Sequence, residues 1–419
     1  MRALHIVIVR VVLVAFGLGC SGGTRVPTPA LAQVRPGIEV LLSDSAHLIA
    51  GKRLGLLTNH TGVDRQGRRD VDLLVRAKDA RLLILYSPEH GFAGAEDRPG
   101  LPDSRDSATG LPIYSLYGGS RTNAIASLDS IDVLLVDLQD IGARYYTYIA
   151  TATQVMRDAA RAGKRVIVLD RPDPIGGRDI QGNVRARAGD PDSMLVGFLP
   201  IAMRHGMTLG ELARMANDVL GLRADLVIVP ASGWTRDMFY DQTSLPWIKP
   251  SPNMPDLESA IHYPGICLFE GTNLSVGRGT PMAFQVLGAP WLNPALVIAR
   301  LEPALRGVEV VPTMFTPASP TDGKYPGVEL PGLRFKVRDR TQYDPTKLAV
   351  ALLVAIRSTH PQLQFRRESF DGLAAGPELR VGVEAGKSAT EIWAPWDSSL
   401  VQFRAIRERY LIRQYHISP

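Results

Sequence analysis

Glu89 and His90 stand side by side between Pro88 and Gly91, directly after an apolar run at residues 82–86. A carboxyl group and an imidazole held by a proline on one side and a glycine on the other are positioned more firmly than a solvated loop requires. A second cluster reads Phe269-Glu270-Gly271-Thr272-Asn273-Leu274-Ser275-Val276-Gly277-Arg278-Gly279-Thr280, with Glu270, Asn273 and Arg278 set among residues small enough to admit a ligand. Two more polar segments close apolar runs: Asp137 with Asp140 and Arg144-Tyr145-Tyr146, and Asp170-Arg171-Pro172-Asp173-Pro174. Several carboxyl groups on rigid loops suit glycoside hydrolysis. One must stay protonated to donate to the leaving oxygen, while a second charge stabilises or attacks the anomeric carbon. Where the sugar carries a 2-acetamido group, its own carbonyl can replace the second carboxylate. The same side chains could hold a divalent cation, since carboxylates and imidazole are hard or borderline ligands. No H-E-x-x-H or comparably close-spaced ligand set is present, so no metal site is expected.

Each cluster also has a structural reading. Glu89 could cap a following helix, and Asp137 could do the same while Tyr145 and Tyr146 pack on the core. Asp170 and Arg171 within one turn suit an ion pair. His205 and His262 are lone histidines beside apolar residues and read as structural. Cys267, in Ile266-Cys267-Leu268-Phe269, reads as a small buried residue. Asn253, bracketed by Pro252 and Pro255, is held in the same way as Glu89.

The elements that must position these residues alternate. Short apolar runs at residues 53–57, 82–86, 111–116, 132–137, 165–169 and 224–229 read as strands, and most end in Gly-, Pro- or Asp-marked loops. Between them, helical spacing appears at Val71, Leu74, Val75 and Lys78, then over residues 147–162, and over 208–220 behind a Thr208-x-x-Glu211 capping box. Near-continuous apolar strands alternating with helices imply a parallel sheet covered on both faces, with ligands bound beyond the strands' carboxyl ends. The expected fold is α/β: a Rossmann-like parallel-sheet N-terminal domain over residues 37–258 and a smaller α+β C-terminal domain over 259–419, with the active site in the cleft between them. In the second part, helices are expected at 294–305, 343–358 and 398–413 and strands at 308–311 and 333–337. No G-x-G-x-x-G and no G-x-x-x-x-G-K-[ST] follows any strand, which leaves dinucleotide and nucleoside triphosphate cofactors unsupported.

Of 419 residues 45% are hydrophobic and 21% charged, an ordinary globular composition. The net charge of +5 comes from scattered rather than clustered Lys and Arg, so nucleic acid is not an expected partner. The N-terminus has basic Arg2 and Arg10, a short apolar segment at 11–18 and a small-residue exit, an export signal too short to span a membrane. Cys20 stands where a bacterial lipoprotein is cleaved and acylated, although Gly17 departs from the usual leucine. The alternative is soluble secretion after cleavage near Ala32. Residues 1–36 are read as signal and tether, which places the mature protein in the periplasm, lipid-anchored at Cys20. One mature-domain cysteine, Cys267, cannot form an internal disulfide.

These residues also carry a resemblance. The segments Gly55-Leu56-Leu57-Thr58-Asn59-His60-Thr61-Gly62, Ser87-Pro88-Glu89-His90-Gly91-Phe92 and Asp137-Leu138-Gln139-Asp140-Ile141-Gly142-Ala143-Arg144-Tyr145-Tyr146-Thr147-Tyr148 are similar to the NamZ family of peptidoglycan exo-β-N-acetylmuramidases, formerly a bacterial family of unknown function. So are Leu169 to Pro174, Pro252 to Pro255 and Phe269 to Thr280, in the same order. The resemblance implies release of N-acetylmuramic acid from the non-reducing ends of peptidoglycan fragments in cell-wall turnover or recycling, without an organic cofactor. It implies Glu89 as the catalytic glutamate. Chemistry adds His90 and Glu270 as further catalytic candidates, and Asn59, Asp137, Arg144, Tyr145, Asn253, Asn273 and Arg278 as substrate-binding candidates. Arg278 suits the lactyl carboxylate, since Arg binds carboxylates bidentately, and Asn253 and Asn273 suit sugar hydroxyls or the acetamido group. A non-catalytic cell-wall-binding lipoprotein and a metal-dependent esterase or amidase are the alternatives.

Overall fold

The computed structural model describes residues 33–96, 100–117, 121–301 and 305–416; the export signal and Cys20 lie outside them. Val34 is fully buried against a cluster that includes Trp234, Tyr240 and Tyr415, and Arg35 exchanges both backbone bonds with Ser232. The tether expected to reach residue 36 therefore stops short of Val34, whose apolar side chain is worth more inside than in water.

Twelve strands are found among the described residues: β1 Lys52–Thr58, β2 Ala80–Ser87, β3 Ser104–Arg105, β4 Pro112–Ser115, β5 Val133–Asp137, β6 Arg165–Leu169, β7 Gln181–Val184, β8 Ala202–Arg204, β9 Leu226–Val229, β10 Val286–Gly288, β11 Val308–Phe315 and β12 Leu330–Val337. Seven form the central sheet in the order β3-β4-β2-β1-β5-β6-β9, parallel except for the short edge strand β3. Side chains alternate across this sheet with period two. Leu57, Leu134, Val136, Val166 and Val168 enter one core with the helices Tyr148–Arg161 and Leu209–Val219. Leu54, Leu56, Val133, Leu135, Ile167 and Leu169 enter another with the helices Gly37–Ser43 and Asp70–Val75. Both faces are covered, which is why the strands read as unbroken apolar runs.

The chain passes from β1 outward to β2 and β4, then returns to the other side of β1 for β5, β6 and β9. That reversal opens a crevice beyond the carboxyl ends of β1 and β5. The loops after β1, β2 and β5 carry Asn59, Glu89 and the segment up to Thr147 toward it.

A three-stranded antiparallel sheet, β10-β12-β11, and the helix Pro345–Thr359 build most of the second part. Asp344 caps that helix and Pro345 opens it. Its core is not separate: Leu348, Leu352 and Ile356 belong to the same hydrophobic cluster as Val136 and Val168. The division placed at 258/259 falls inside the helix Leu257–Ile266. This helix lies so close to Pro345 that a Cβ on Gly265 would come within 1.8 Å of the Pro345 carbonyl oxygen, so only glycine fits there. The helix expected over 294–305 ends at Ile298, and the one expected to reach residue 413 ends at Glu408. Three short helices, Arg367–Ala374, Glu378–Glu384 and Ala389–Trp393, carry no clear periodic signal because none exceeds eight residues.

Candidate active site

β2 ends at Ser87, and the chain turns at once. The Gly91 amide donates to the Pro88 carbonyl at 3.1 Å, which leaves Glu89 and His90 at the tip of the turn, both half-buried. His90 takes a left-handed backbone, φ 69°, a region few non-glycine residues occupy, and its Nδ1 hydrogen-bonds the Glu96 carbonyl at 2.8 Å. Gly94 has φ +67° and lies against the ring of His60, which any Cβ would overlap at 1.8 Å. His60 is itself tied by Nε2 to the Lys249 carbonyl at 2.6 Å. The Glu89 side chain is gripped from the loop after β5, where the Thr147 hydroxyl donates to Oε2.

A second part of the lining is the turn Cys267–Gly271 that follows the helix Leu257–Ile266. It presents Glu270, whose Oε1 accepts from Nε of Arg278 and whose Oε2 lies 3.5 Å from the Cys267 sulfur. Burial, and then the neighbouring Glu270 charge, push the Cys267 thiol well up, so it stays a neutral S–H. The Arg278 guanidinium stacks over Phe284, 5.6 Å from the ring centre, and its Nη1 donates to the Thr321 hydroxyl at 3.2 Å. Asn253 Nδ2 donates to the same hydroxyl at 3.4 Å.

Tyrosines form the floor. Tyr145 donates to the Pro264 carbonyl at 3.0 Å, and Tyr146 and Tyr148 meet edge to face at 4.8 Å. Burial raises all of their phenols, so they act as neutral groups. Glu89, His90, Tyr145, Asn253, Glu270 and Arg278 line one cavity of about 160 Å³, together with Thr147, Tyr148, Tyr263, Phe284 and others. An aromatic floor with a few convergent polar groups is the usual constitution of a small-molecule site.

The other four binding candidates stand outside this cavity, their polar atoms committed to the fold. Asn59 donates to Tyr148 at 2.9 Å and accepts from the Thr61 amide and hydroxyl, so it supports the floor from behind. Asp137 is fully buried and receives two guanidinium bonds from Arg171, which also lies 3.6 Å from Asp70. The turn ion pair expected for Asp170 and Arg171 is thus a cross-strand pair of Arg171 with Asp137; Asp170 instead accepts from Thr208 and Tyr415. Arg144 is buried on carbonyl oxygens of Asn183, Ile201 and Leu373. Asn273 bridges to the backbone of Gln362 and Gln364. Residues that pattern reading missed are Thr147, Tyr263, Phe284, Thr321 and Lys324. Thr147 sits inside the polar segment from Asp137 to Tyr148 and could have been found; Thr321 and Lys324 lie in a connection without any local signal. Among the described residues, no three His, Cys, Asp or Glu side chains converge as a metal site.

Residues 54–258 match the family model described as exo-beta-N-acetylmuramidase NamZ, N-terminal, and residues 261–412 match its C-terminal counterpart. The chain is 38% identical over 398 residues to the peptidoglycan beta-N-acetylmuramidase NamZ of Bacillus subtilis (strain 168), covering 94% of each chain. Two crystal structures of DUF1343 family proteins from Bacteroides fragilis NCTC 9343 are similar. One has a TM-score of 0.82 and 33% identity over 91% of this chain and 99% of that one. The other has a TM-score of 0.70 and 31% identity over 92% and 100%.

Proposed function

This chain belongs to the NamZ family of exo-β-N-acetylmuramidases, and we propose that it is an exo-acting glycosidase that removes N-acetylmuramic acid from the non-reducing ends of peptidoglycan fragments. The observation that carries the reading is the one cavity that Glu89 and the Glu270–Arg278 pair line together. Glu89 donates a proton to the glycosidic oxygen as the bond from that oxygen to the anomeric carbon breaks. Glu270, ion-paired to Arg278, supplies negative charge toward the cationic sugar ring that develops. His90 lines the same cavity and shapes the loop that presents Glu89. The Arg278 guanidinium recognises the lactyl carboxylate, and Asn253 a hydroxyl or the acetamido oxygen. The tyrosine floor receives the apolar face of the sugar.

The deciding experiment compares turnover of chromogenic N-acetylmuramic acid and N-acetylglucosamine β-glycosides. Release from the muramic glycoside alone is expected. Binding without release would make the protein a non-catalytic cell-wall binder, and activity abolished by a chelator would make it a metal-dependent hydrolase. We place its work outside the cytoplasm, anchored through acylated Cys20, with soluble release after Ala32 as the alternative. Cys20→Ser should yield soluble or unprocessed protein, and unchanged membrane attachment would overturn the anchor.

A further inference from the structure

The connection between β11 and β12, residues 316–329, reaches back across the cleft wall. The Ala318 amide donates to the Gly279 carbonyl at 3.2 Å, the Thr321 hydroxyl receives Arg278 and Asn253, and the Tyr325 phenol donates to the Asn273 carbonyl at 2.7 Å. Lys324 lies at the centre of this seam. It is 5% exposed, and its ammonium donates to the carbonyls of Phe269 at 3.2 Å, Glu270 at 3.1 Å and Leu274 at 2.9 Å. An ammonium has three protons, and each has a carbonyl acceptor here. Asp322 stands 3.6 Å away as its counter-charge.

Placing a lysine inside a protein is unfavourable unless its charge is paired and hydrogen-bonded, and burial does lower this one's pKa. What it holds explains the site: the Phe269 carbonyl, which also accepts from the Thr272 amide and hydroxyl, and the Glu270 and Leu274 carbonyls on either side of the chain's exit from the turn that carries Glu270 into the cavity. The Glu270 carboxylate is then fixed twice, by Arg278 and Cys267 at its oxygens and by Lys324 at its own backbone.

We propose that Lys324 is a positioning residue for Glu270, setting the turn from which Glu270 faces the substrate. The proposal rests on the reading of Glu270 as part of the catalytic machinery. Misplacing a reacting group by about an ångström lowers turnover by up to about 10²-fold while leaving binding largely intact.

The test is steady-state kinetics on a chromogenic N-acetylmuramic acid glycoside, well below each variant's melting temperature. The variants are Lys324→Met, Glu270→Gln and the double variant. Lys324→Met is expected to lower kcat by roughly 10- to 100-fold with KM changed less than about threefold. On the Glu270→Gln background it is expected to add no further loss, because residues acting through one another are non-additive. Should Lys324→Met not fold, Lys324→Gln and Lys324→Arg, which retain donors, carry the same comparison and should fall between it and the parent. A folded Lys324 variant with parental kcat, or a loss that multiplies with that of Glu270→Gln, overturns the proposal and leaves the Glu270 reading standing. Parental turnover in Glu270→Gln overturns that reading, and the proposal with it.

Discussion

Thr147 stands at the N-cap of the helix Tyr148–Arg161, yet its hydroxyl makes no capping bond and is donated instead to Glu89. A threonine there normally satisfies one of the helix's first amides. Diverting it to the carboxylate trades helix stability for a fixed acid. Thr147→Val should therefore lose a hydrogen bond to the neutral carboxyl group of the acid, about 0.5–1.5 kcal/mol, or roughly 2- to 10-fold in kcat/KM. The melting temperature should barely move, since no cap is lost, and Thr147→Ser should restore activity. A thermal shift without an activity loss would show that the hydroxyl serves the fold alone.

Glu89→Gln keeps the shape of the side chain and can still accept from Thr147, but it has no acidic proton to give. General acid catalysis contributes typically about 10²- to 10⁴-fold, so kcat should fall by that much or more while ligand binding, followed by calorimetry, persists. Near-parental turnover in a variant with a parental melt would remove Glu89 from the mechanism.

The strands of the sheet were legible because burial on both faces writes apolar runs, and Glu89 was legible because Pro88 and Gly91 bracket it at the end of one. The binding set was only half legible. Asp137, Arg144, Asn59 and Asn273 sit in the same polar loops as the cavity residues, and local pattern does not say which way a side chain turns. Asp137 turns toward Arg171, which the sequence places thirty-four positions away. Thr321 and Lys324 were invisible for a related reason: their partners lie about fifty residues upstream, and nothing periodic marks a connection between two strands.

Because Arg171 is buried between Asp137 and Asp70, its loss should act on folding. Burial opposes its charge, but the two carboxylates more than offset this and hold the guanidinium well above its usual range. Arg171→Met leaves Asp137 buried without its cation, beside an Asp70 carboxyl that burial and the Asp137 charge already push well up, and is destabilising by about 3–5 kcal/mol. Denaturant unfolding should show that loss, with KM unchanged in whatever remains folded. A variant with parental stability and a raised KM would return Asp137 to the substrate site.

Asp140 supplies a prediction about pH. Its carboxyl is 3% exposed, accepts the Gly142 amide at 2.8 Å and lies 3.6 Å from Nε2 of His205. Burial pushes it up to about 7, against the opposing pull of the Gly142 and Ile141 amides. The native protein therefore holds this proton up to about pH 7, while the unfolded chain releases it near its ordinary value of about 3.9. Between those values the native state binds more protons, so the Asp140 contribution is fully present below about pH 4 and is lost as pH rises toward 7. The slope approaches about 1.4 kcal/mol per pH unit, a few kcal/mol over the window. His205 works in the opposite direction. Burial, then Arg407, Arg144 and Arg204, lower it to about 3, and its contribution is lost as pH falls below about 6.5. Asp140→Asn removes the first titration and leaves the second, so the difference in unfolding free energy between variant and parent isolates Asp140. That difference should move in the variant's favour from pH 5 to pH 7 and level off by pH 8, as measured by denaturant titration at each pH. A difference that stays constant across this range would mean that Asp140 is already ionised in the native protein at pH 5.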